Sequence, residues 1–316
     1  MKIIRPKVSI IILNWNGLED TINCIESLKK IEYPNYDLIV VDNNSNIDPT
    51  EEIKARFPDV IVIRNDKNLG VATGNNVGIR YALKKDTKYI LLLNNDIMVK
   101  KNFLKELVKV ADLNKTIGTV GPKILSPNSD IQRACTRRLP TFLDFIFVYS
   151  FIGERLLKEN RFWRKHFYYD YNFDSPKEVE VLSGSCMLIK KETIEDIGLF
   201  DENTFLYFEE FIMGVKFKKK GWKSMVNPKS EIVHLGGETV KNLNLKSWAR
   251  YWSKRSEFYF LKKYSGMRKI RRALISTILL IEAFSALSFA IVERNKGDFD
   301  VKNELKIIKF LMNELF

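Results

Sequence analysis

Four short polar clusters attract attention because each one follows or interrupts an apolar stretch. They are NWNG at 14–17, VDNNS at 41–45, NLGVATGNNVG at 68–78 and NND at 94–96. If the apolar runs before them are parallel strands, the first, second and fourth clusters lie along one edge of a sheet, where open α/β sheets bind ligands. The clusters together predict a cleft, although Asn and Asp are also favoured in ordinary turns.

Two of these clusters carry groups suited to a nucleotide. The carboxylate of Asp42 can accept a hydrogen bond from the imide N–H of uracil or thymine. Gly70, Gly74 and Gly78 allow close backbone approach at a helix start, where unpaired N–H groups favour phosphate. A GxGxxG signature after the first strand and a GxxxxGK phosphate loop are both absent. Any nucleotide site therefore uses neither of these two signatures.

The segments that position these clusters alternate between two patterns. Predicted strands cover 8–13, 36–42, 60–63 and 89–93, and predicted helices cover 18–30, 49–57, 71–85 and 102–114. The run YILLL at 89–93 is typical of a strand buried on both faces. Strands alternating with helices of this length are typical of βαβ units. The predicted fold class is therefore α/β, Rossmann-like, with a mostly parallel central sheet and flanking helices.

Regularity is lost from residue 126 to residue 177, a stretch rich in aromatic residues and arginine. We interpret it as a variable insertion over the sheet, either a lid or acceptor-side helix, or else a source of ordinary core side chains. Regular structure returns at 179–189, and 206–220 is predicted to be a helix. We expect one α/β domain at 1–240 and a helical segment at 241–316.

The C-terminal segment concentrates the net charge of +13. Residues 241–272 contain eleven Lys or Arg and one acid, Glu257, interleaved with aromatic residues. One alternative is therefore a binder of single-stranded nucleic acid. An apolar stretch of twenty residues follows at 273–292. Because polybasic residues beside an apolar helix are typical of membrane contact, we expect the cytoplasmic membrane surface as a partner and no nucleic acid.

The apolar stretch contains an acidic residue, Glu282, and an acid at a bilayer centre costs about 3 kcal/mol. Four polar residues fall within one broad helical sector, which favours a helix that lies in the interface or packs on a partner: Thr277, Glu282, Ser285 and Ser288. A buried helix of the tail is the other alternative. Residues 301–316 predict a second amphipathic helix.

Two features bear on location. The three cysteines have no metal-type spacing, which favours a reduced compartment, and the N-terminal apolar run is too short for a signal peptide. We expect the cytoplasmic face of the membrane, with peripheral attachment or one inserted C-terminal helix.

Six segments in this order resemble family 2 glycosyltransferases, specifically the rhamnosyltransferase-like group with the GT-A nucleotide-sugar fold. They are VSIIILNWNG, VVDNNS, NLGVATGNNVGI, ILLLNND, LSGSCMLIKKETIEDIGLFDENTFLYFEE and VHLGGET. The resemblance covers roughly residues 7–240 and implies that the domain at 1–240 is a nucleotide-sugar-binding and catalytic domain. It implies an inverting transfer of rhamnose or another hexose from a UDP-, dTDP- or GDP-linked donor, assisted by Mg²⁺ or Mn²⁺. Many members of this family act on lipid-linked or cell-surface glycans, so a glycan or lipid-linked acceptor is expected.

The resemblance also assigns residues. NND occupies the position of the DxD metal motif, so Asp96 is the expected metal ligand, with His234 as a second ligand or else a satisfied core residue. Glu210 matches the base that takes the acceptor proton, and Glu209 beside it is expected to raise the pKa of Glu210 by charge repulsion. The expected donor contacts are Asn14, Trp15 and Asp42 at the base, Asn68, Gly70 and Asn75 at the ribose and diphosphate, Gly184 and Ser185 at the sugar, and Asn94 and Asn95 in the metal motif.

The match departs from the family pattern around the acidic pair. Glu210 stands where Asp is usual, and Ile212 and Lys216 stand where Asp and Arg are common. A displacement of about 1 Å at a catalytic group can cost roughly a hundredfold in rate. A catalytically weakened or inactive relative that binds a nucleotide sugar or a partner enzyme is therefore the main alternative.

Overall fold

The computed structural model describes residues 5–150, 153, 159–236, 245–292 and 300–315. Within them, nine strands form a central sheet and two form a small separate one. The strands are β1 (Val8–Asn14), β2 (Tyr36–Asp42), β3 (Ile61–Arg64), β4 (Tyr89–Asn94), β5 (Ile97–Val99), β6 (Ile117–Leu125), β7 (Thr136–Arg137), β8 (Lys177–Val179), β9 (Val181–Leu182), β10 (Cys186–Lys190) and β11 (Lys223–His234). The small sheet pairs β7 with β9.

The helices predicted at 18–30, 49–57, 71–85, 102–114 and 206–220 are observed within a few residues of those bounds, and three short helices at 142–147, 161–166 and 191–197 were not predicted. The helices of the described residues are α1 (Leu18–Leu28), α2 (Thr50–Arg56), α3 (Gly70–Leu83), α4 (Phe103–Ala111), α5 (Phe142–Phe147), α6 (Arg161–His166), α7 (Lys191–Ile197), α8 (Glu209–Lys220), α9 (Lys246–Lys263), α10 (Lys269–Val292) and α11 (Val301–Leu315).

The central sheet has the order β3-β2-β1-β4-β10-β6-β11-β5, with β8 also paired to β11. The first four strands are parallel, as predicted. Beyond β4 the sheet is mixed, because β10 is antiparallel to both β4 and β6, whereas β6 and β11 pair in parallel. Parallel pairing needs a crossover connection. The strand–helix alternation that supplies crossovers ends near residue 114, and the chain reaches β10 through the irregular insertion instead.

The register of the parallel strands brings the polar clusters level with one another. Asn14 pairs with Asp42 on one side, and Leu13 pairs with Asn94 on the other. The apolar residues 89–93 of β4 are at most 2% exposed, which confirms a strand buried on both faces. The predicted edge of polar groups at the carboxyl ends of β1, β2 and β4 is therefore confirmed.

Two of the glycines in α3 serve packing. A Cβ at Gly78 would lie 2.5 Å from Ile11 Cγ2, and a Cβ at Gly74 would lie 2.7 Å from Leu13 Cδ1. These glycines let α3 lie close against β1. The expectation that both open a path for phosphate is therefore wrong, because side chains of the sheet fill that space.

The insertion and the C-terminal helices share a second core with α8. Phe145 of the insertion, Phe211 of α8 and Phe260 of α9 belong to it, together with Ile275 and Leu279 of α10. The aromatic side chains of the insertion that join this cluster are therefore core residues, which was one of the two alternatives.

Helix α10 turns one face inward. Ala283 and Leu279 are buried, and Glu282 lies 3.8 Å from Lys254 of α9. Glu282 therefore does not share an outward polar sector with Ser285 and Ser288, which are exposed. No helix within the described residues has the length and apolar character needed to cross a membrane.

Candidate active site

Asp42 is the centre of a buried polar network at the end of β2. It is 0% exposed, and its Oδ1 accepts hydrogen bonds from Asn14 Nδ2 at 2.7 Å and Ser45 Oγ at 2.5 Å. Its Oδ2 lies 3.3 Å from Arg64 Nη1. These contacts fix the carboxylate at the edge of the sheet. Its contact with a nucleobase stays a prediction.

Trp15 meets an aromatic residue of the C-terminal segment. Its ring stacks on that of Trp248 in α9, with centroids 5.5 Å apart. The ring of Trp248 in turn lies nearly perpendicular to that of Phe205, with centroids 5.5 Å apart. The carbonyl of Phe205 accepts a hydrogen bond from the N–H of Val71 at 2.7 Å. Helix α9 and the loop before α8 therefore cover the part of the cleft next to Trp15 and the start of α3. The sequence patterns did not indicate this cover.

The beginning of α3 is tightly enclosed. Gly70 has a φ of +77°, and a Cβ there would lie 2.4 Å from the carbonyl oxygen of Phe205. Asn68 Oδ1 accepts a hydrogen bond from the Gly70 N–H, and Asn75 is buried in the same helix. Only glycine fits at this position. Contacts of Asn68, Gly70 and Asn75 with a donor stay predictions.

Asp96 and His234 come together at the same edge. Asp96 Oδ1 lies 3.2 Å from His234 Nε2, and both atoms are buried. His234 Nδ1 lies 3.1 Å from Gln132 Oε1, and Gln132 Nε2 donates to the His234 carbonyl at 2.9 Å. Donation from Nδ1–H to Gln132 leaves the Nε2 lone pair directed toward Asp96, an arrangement typical of metal-ligating histidines.

These two side chains fit a divalent metal in part. Carboxylate oxygen suits Mg²⁺ or Mn²⁺, and imidazole is accepted by the softer of the two. Among the described residues, no group of three or more His, Cys, Asp or Glu side chains is placed to hold a metal ion. Asp96 and His234 therefore need further oxygen ligands, such as those of a bound diphosphate.

The two asparagines of NND have different surroundings. The N–H of Asn94 donates to the Ser185 carbonyl at 2.8 Å, which ties this turn to the SGS loop at 183–185. The Asn95 side chain donates to the Gly17 carbonyl at 3.0 Å and to Thr21 Oγ1 at 3.2 Å. Asn95 therefore braces the start of α1, and any contact between Asn95 and a substrate stays a prediction.

The SGS loop faces the acidic pair. A Cβ at Gly184 would lie 3.8 Å from Glu209 Oε1 and 3.9 Å from Glu210 Cβ. The acids begin α8, after Tyr207 and Phe208, which both have positive φ angles. This sharp turn places both carboxyl groups at the first turn of the helix and directs them into the protein.

Glu210 is held by an arginine of the insertion. Its Oε1 accepts a hydrogen bond from Arg137 Nη2 at 2.8 Å, and the guanidinium lies over the ring of Phe211. Glu210 Oε2 is buried and has no hydrogen-bond partner among the described residues. Arg137 was missed by sequence reasoning, and the pair RR at 137–138 was the available signal.

Burial raises the pKa of Glu209 to about 8, the charge of Glu210 adds to the rise, and Arg137 opposes it. Glu209 is therefore mostly protonated at neutral pH. The effect of Glu209 on the pKa of Glu210 stays a prediction. Ile212 and Lys216, two residues of α8 that differ from the family pattern, have structural roles. Ile212 is 0% exposed, and Lys216 donates a hydrogen bond to the Leu199 carbonyl.

The sequence model described as Glycosyl transferase family 2 matches residues 9–198. The chain belongs to glycosyl transferase family 2. It is 24% identical over 205 residues to the N-acetylglucosaminyl-diphospho-decaprenol L-rhamnosyltransferase of Mycobacterium tuberculosis, covering 62% of this chain and 66% of that protein, slightly less than two thirds. It is also 24% identical over 289 residues to the dTDP-rhamnosyl transferase RfbF of Shigella flexneri, covering 88% of this chain and 89% of RfbF.

A solved structure supports the family assignment at the level of the fold. The mannosyltransferase PcManGT of Pyrobaculum calidifontis, in complex with GDP-Man and Mn²⁺, superposes with a TM-score of 0.56 and 15% identity, covering 99% of this chain and 82% of that chain. The α/β architecture with a central sheet is therefore shared with a glycosyltransferase, as the resemblance to GT-A enzymes implied.

Proposed function

We propose that the protein is an inverting, metal-assisted glycosyltransferase that moves rhamnose or another hexose from a nucleotide-diphosphate donor to a hydroxyl of a glycan or lipid-linked acceptor. The observation that carries the proposal is the convergence of Asp42, the Asp96–His234 pair and Glu210 around one sheet edge and its SGS loop. The names of the mycobacterial and Shigella relatives favour rhamnose as the sugar.

The donor half of the cleft orients the nucleotide. Trp15 offers a ring for stacking on the base, and the buried Asp42 holds Asn14 and Ser45 in place beside it. Asp96 and His234 would hold the metal ion. A bound divalent ion neutralises charge that develops on the leaving diphosphate.

The acceptor half supplies the base. Arg137 fixes Oε1 of Glu210, so Oε2 is the oxygen that takes the proton of the acceptor hydroxyl. The hydroxyl oxygen then bonds to the anomeric carbon as the bond to the donor diphosphate breaks on the opposite side, which inverts that carbon. Glu209, protonated at neutral pH, donates a hydrogen bond toward the sugar at Gly184.

The first test is calorimetric titration of the full chain with UDP, dTDP and GDP, each with and without Mn²⁺. We expect one nucleotide to bind, and its affinity to increase with Mn²⁺. Asp96→Asn is expected to remove the Mn²⁺-dependent part of the affinity, while Asp86→Asn, an exposed control, keeps it. Failure of all three nucleotides to bind would contradict the proposed donor site.

A specific observation favours the alternative of a weakened relative. The Glu210 carboxylate is paired with Arg137 at 2.8 Å, and Ile212 replaces an acid that the family commonly has. Such a relative would bind the nucleotide sugar and fail to transfer the sugar. Donor turnover measured beside donor binding separates the two functions.

We also propose peripheral attachment to the cytoplasmic face of a membrane through α10. Ile270, Leu274 and Ile281 are 51–69% exposed on this helix, next to the basic residues at its start. Co-sedimentation with liposomes containing phosphatidylglycerol is the test. Leu274→Ser with Ile281→Ser is expected to reduce binding to these liposomes, and equal binding by this variant would contradict the proposal.

A further inference from the structure

Two grooves meet beside Arg138, the residue that follows Arg137 in the chain. One has a volume of about 720 Å³ and the other about 490 Å³, and both are lined by Arg138 and Lys165. We call the joined space the Arg138 groove. The N–H of Arg138 donates to the His166 carbonyl at 2.9 Å, and Arg137 next to it pairs with Glu210. The groove is therefore close to the proposed base, which lies outside its walls.

The walls of the Arg138 groove are strongly basic. Their acids are already engaged, because Glu180 and Asp170 each pair with a cation, at 2.7 Å and 3.0 Å. Asp144 accepts a hydrogen bond from the hydroxyl of Thr141 at 2.7 Å. The cationic side chains of the walls outnumber these three acids, and they are Arg138, Arg161, Arg164, Lys165, Lys177 and Arg271.

Three of these cations have no acidic partner among the described residues: Arg161, Lys165 and Arg271. Arg161 and Lys165 are exposed and stand four positions apart on α6, so they project from the same side of the helix. Arginine offers two parallel N–H groups to one carboxylate or phosphate, and lysine adds a point charge. The groove therefore suits a ligand that carries several anionic groups.

A buried polar atom points to a ligand at the same place. His166 lines the groove, is 1% exposed, and its Nε2 lies 2.7 Å from the hydroxyl of Tyr149. Its Nδ1 has no hydrogen-bond partner among the described residues. A buried nitrogen without a partner is costly, so a ligand group that hydrogen-bonds with it is favoured. Burial lowers the pKa of His166 to about 3, so this ring is neutral.

The aromatic rings of the groove bear on the class of the ligand. Single-stranded nucleic acid binds by stacking its bases on free aromatic rings. The guanidinium of Arg164 lies 3.9 Å from the centroid of Tyr169. Phe162 has the ring of Phe147 at 4.7 Å and the guanidinium of Arg161 at 4.8 Å. Protein groups therefore cover these rings, which leaves charge and hydrogen bonding as the means of recognition.

The size of the groove indicates a chain. Each of the two grooves alone has the volume of a complete small-molecule site. The joined space is therefore larger than one sugar or one phosphate requires. A chain of several sugar units with an anionic group on each unit fits both the volume and the excess of positive charge.

We propose that the Arg138 groove binds an acidic acceptor glycan, a chain whose sugar units carry carboxylate or phosphate groups. The inference rests on the proposed glycosyl transfer and names the class of its acceptor. Anionic groups along the chain engage Arg138, Arg161 and Lys165. One of them accepts a hydrogen bond from Nδ1–H of His166, whose Nε2 then accepts from the Tyr149 hydroxyl. A chain held here lies beside β7, whose Arg137 holds the proposed base.

The test is calorimetric titration of the full chain with a hexamer of galacturonic acid, in the presence of EDTA. A glycerol phosphate hexamer, the neutral glycan maltohexaose and a deoxycytidylate hexamer are titrated in parallel. We expect one of the two acidic compounds to bind at least about tenfold more tightly than maltohexaose, because one charge-assisted hydrogen bond supplies about that ratio. The tighter of the two shows whether the groove takes carboxylate or phosphate.

Two results of these titrations would overturn the proposal. Equal affinities for the acidic compounds and maltohexaose would show that the cations do not recognise the ligand. Tighter binding of the deoxycytidylate hexamer than of either acidic compound would show a nucleic-acid site.

A matched pair of variants locates the site. Arg161→Gln with Lys165→Gln is expected to weaken binding of the acidic glycan about tenfold or more, while nucleotide binding stays unchanged. The control is Lys105→Gln with Lys109→Gln, which also removes two exposed cations four positions apart on one helix, α4. Equal losses in both variants would overturn the proposal, since the glycan would then respond only to the net charge of the protein.

His166 gives a direct signal from the groove. The chain has two histidines, so nuclear magnetic resonance of protein labelled with ¹⁵N-histidine resolves both rings, and His234→Gln assigns them. We expect the acidic glycan to shift the Nδ1 resonance of His166 and to leave His234 unchanged. An unchanged His166 resonance at saturating glycan would place the ligand elsewhere. Nucleotide binding without binding of either acidic compound would overturn this inference and leave the proposed donor chemistry standing.

Discussion

At the scale of single residues, Arg137 and Glu210 define the proposed reaction centre. They are 73 positions apart in the sequence and lie 2.8 Å apart in the structure. One oxygen of Glu210 is anchored, and the other has no hydrogen-bond partner among the described residues. This asymmetry is what a base needs, because the anchored oxygen fixes the orientation of the oxygen that takes the proton.

Removing the charge of Glu210 tests that role. Glu210→Gln is expected to reduce sugar transfer by a factor of roughly 10² to 10⁴, because general-base catalysis contributes about that much. The dissociation constant of the donor, measured by calorimetry, should stay the same. Glu26→Gln, an exposed glutamate of α1, is the control. Full transfer by Glu210→Gln would exclude this residue as the base.

The raised pKa of Glu209 predicts that the free energy of unfolding depends on pH. Its pKa is about 8 in the folded protein, above the ordinary value of 4.5, so the folded state keeps a proton that the unfolded state releases between these values. The free energy of unfolding therefore decreases as pH rises from about 5 to 8, by at most roughly 1.4 kcal/mol per pH unit from this group.

Glu209→Gln cannot ionise and should flatten that dependence. Thermal unfolding of both proteins between pH 5 and pH 8 is the measurement. We expect the variant to have the higher melting temperature at pH 8, with the difference shrinking toward pH 5. Parallel curves for the two proteins across this range would show that Glu209 ionises normally.

At the scale of the elements, the sequence predicted the close packing of α3 against the sheet only in part. The spacing of Gly70, Gly74 and Gly78 was visible in the sequence, and its interpretation as a phosphate approach was wrong for the last two. Glycine at a helix face serves either a ligand or a neighbouring strand, and the sequence does not tell which. Side chains of β1 occupy the space in this protein.

A matched pair of glycine substitutions separates packing from binding. Gly78→Ala places a methyl group 2.5 Å from Ile11 Cγ2, so it should destabilise the fold by about 1–3 kcal/mol. A Cβ at Gly184 would lie no closer than 3.8 Å to its neighbours, so Gly184→Ala should leave the stability unchanged. The added methyl group should narrow the space between the SGS loop and Glu209. Urea unfolding measures the first effect and transfer kinetics the second. Equal stability of both variants would show that α3 can shift on the sheet.

At the scale of the whole molecule, the C-terminal helices pack directly against the proposed active site. Trp248 stacks on Trp15, and Phe260 packs with Phe208 and Phe211 next to the acidic pair. Several basic residues of the segment are also paired internally, such as Arg250 with Glu304 and Lys254 with Glu257. The segment is therefore less of an open basic stripe than its composition indicated.

Truncation tests this shared core. A protein ending at residue 240 loses Phe260, Ile275 and Leu279 from the second core, so we expect α8 to lose its packing and donor turnover to disappear. The measurement is urea unfolding followed by circular dichroism, where the truncated chain should unfold at a lower urea concentration than the full chain. An unchanged midpoint would show that the first 240 residues fold independently of these helices.

The sequence by itself determined the alternating strands and helices, the polar edge after β1, β2 and β4, and the family. These follow from periodicity and local chemistry, which act over a few residues. Only the tertiary structure decided that β10 runs antiparallel, that Gln132 orients His234, and that Arg137 holds Glu210. Such contacts join residues far apart in the chain, and they depend on how the insertion and the C-terminal helices pack, which no local pattern encodes.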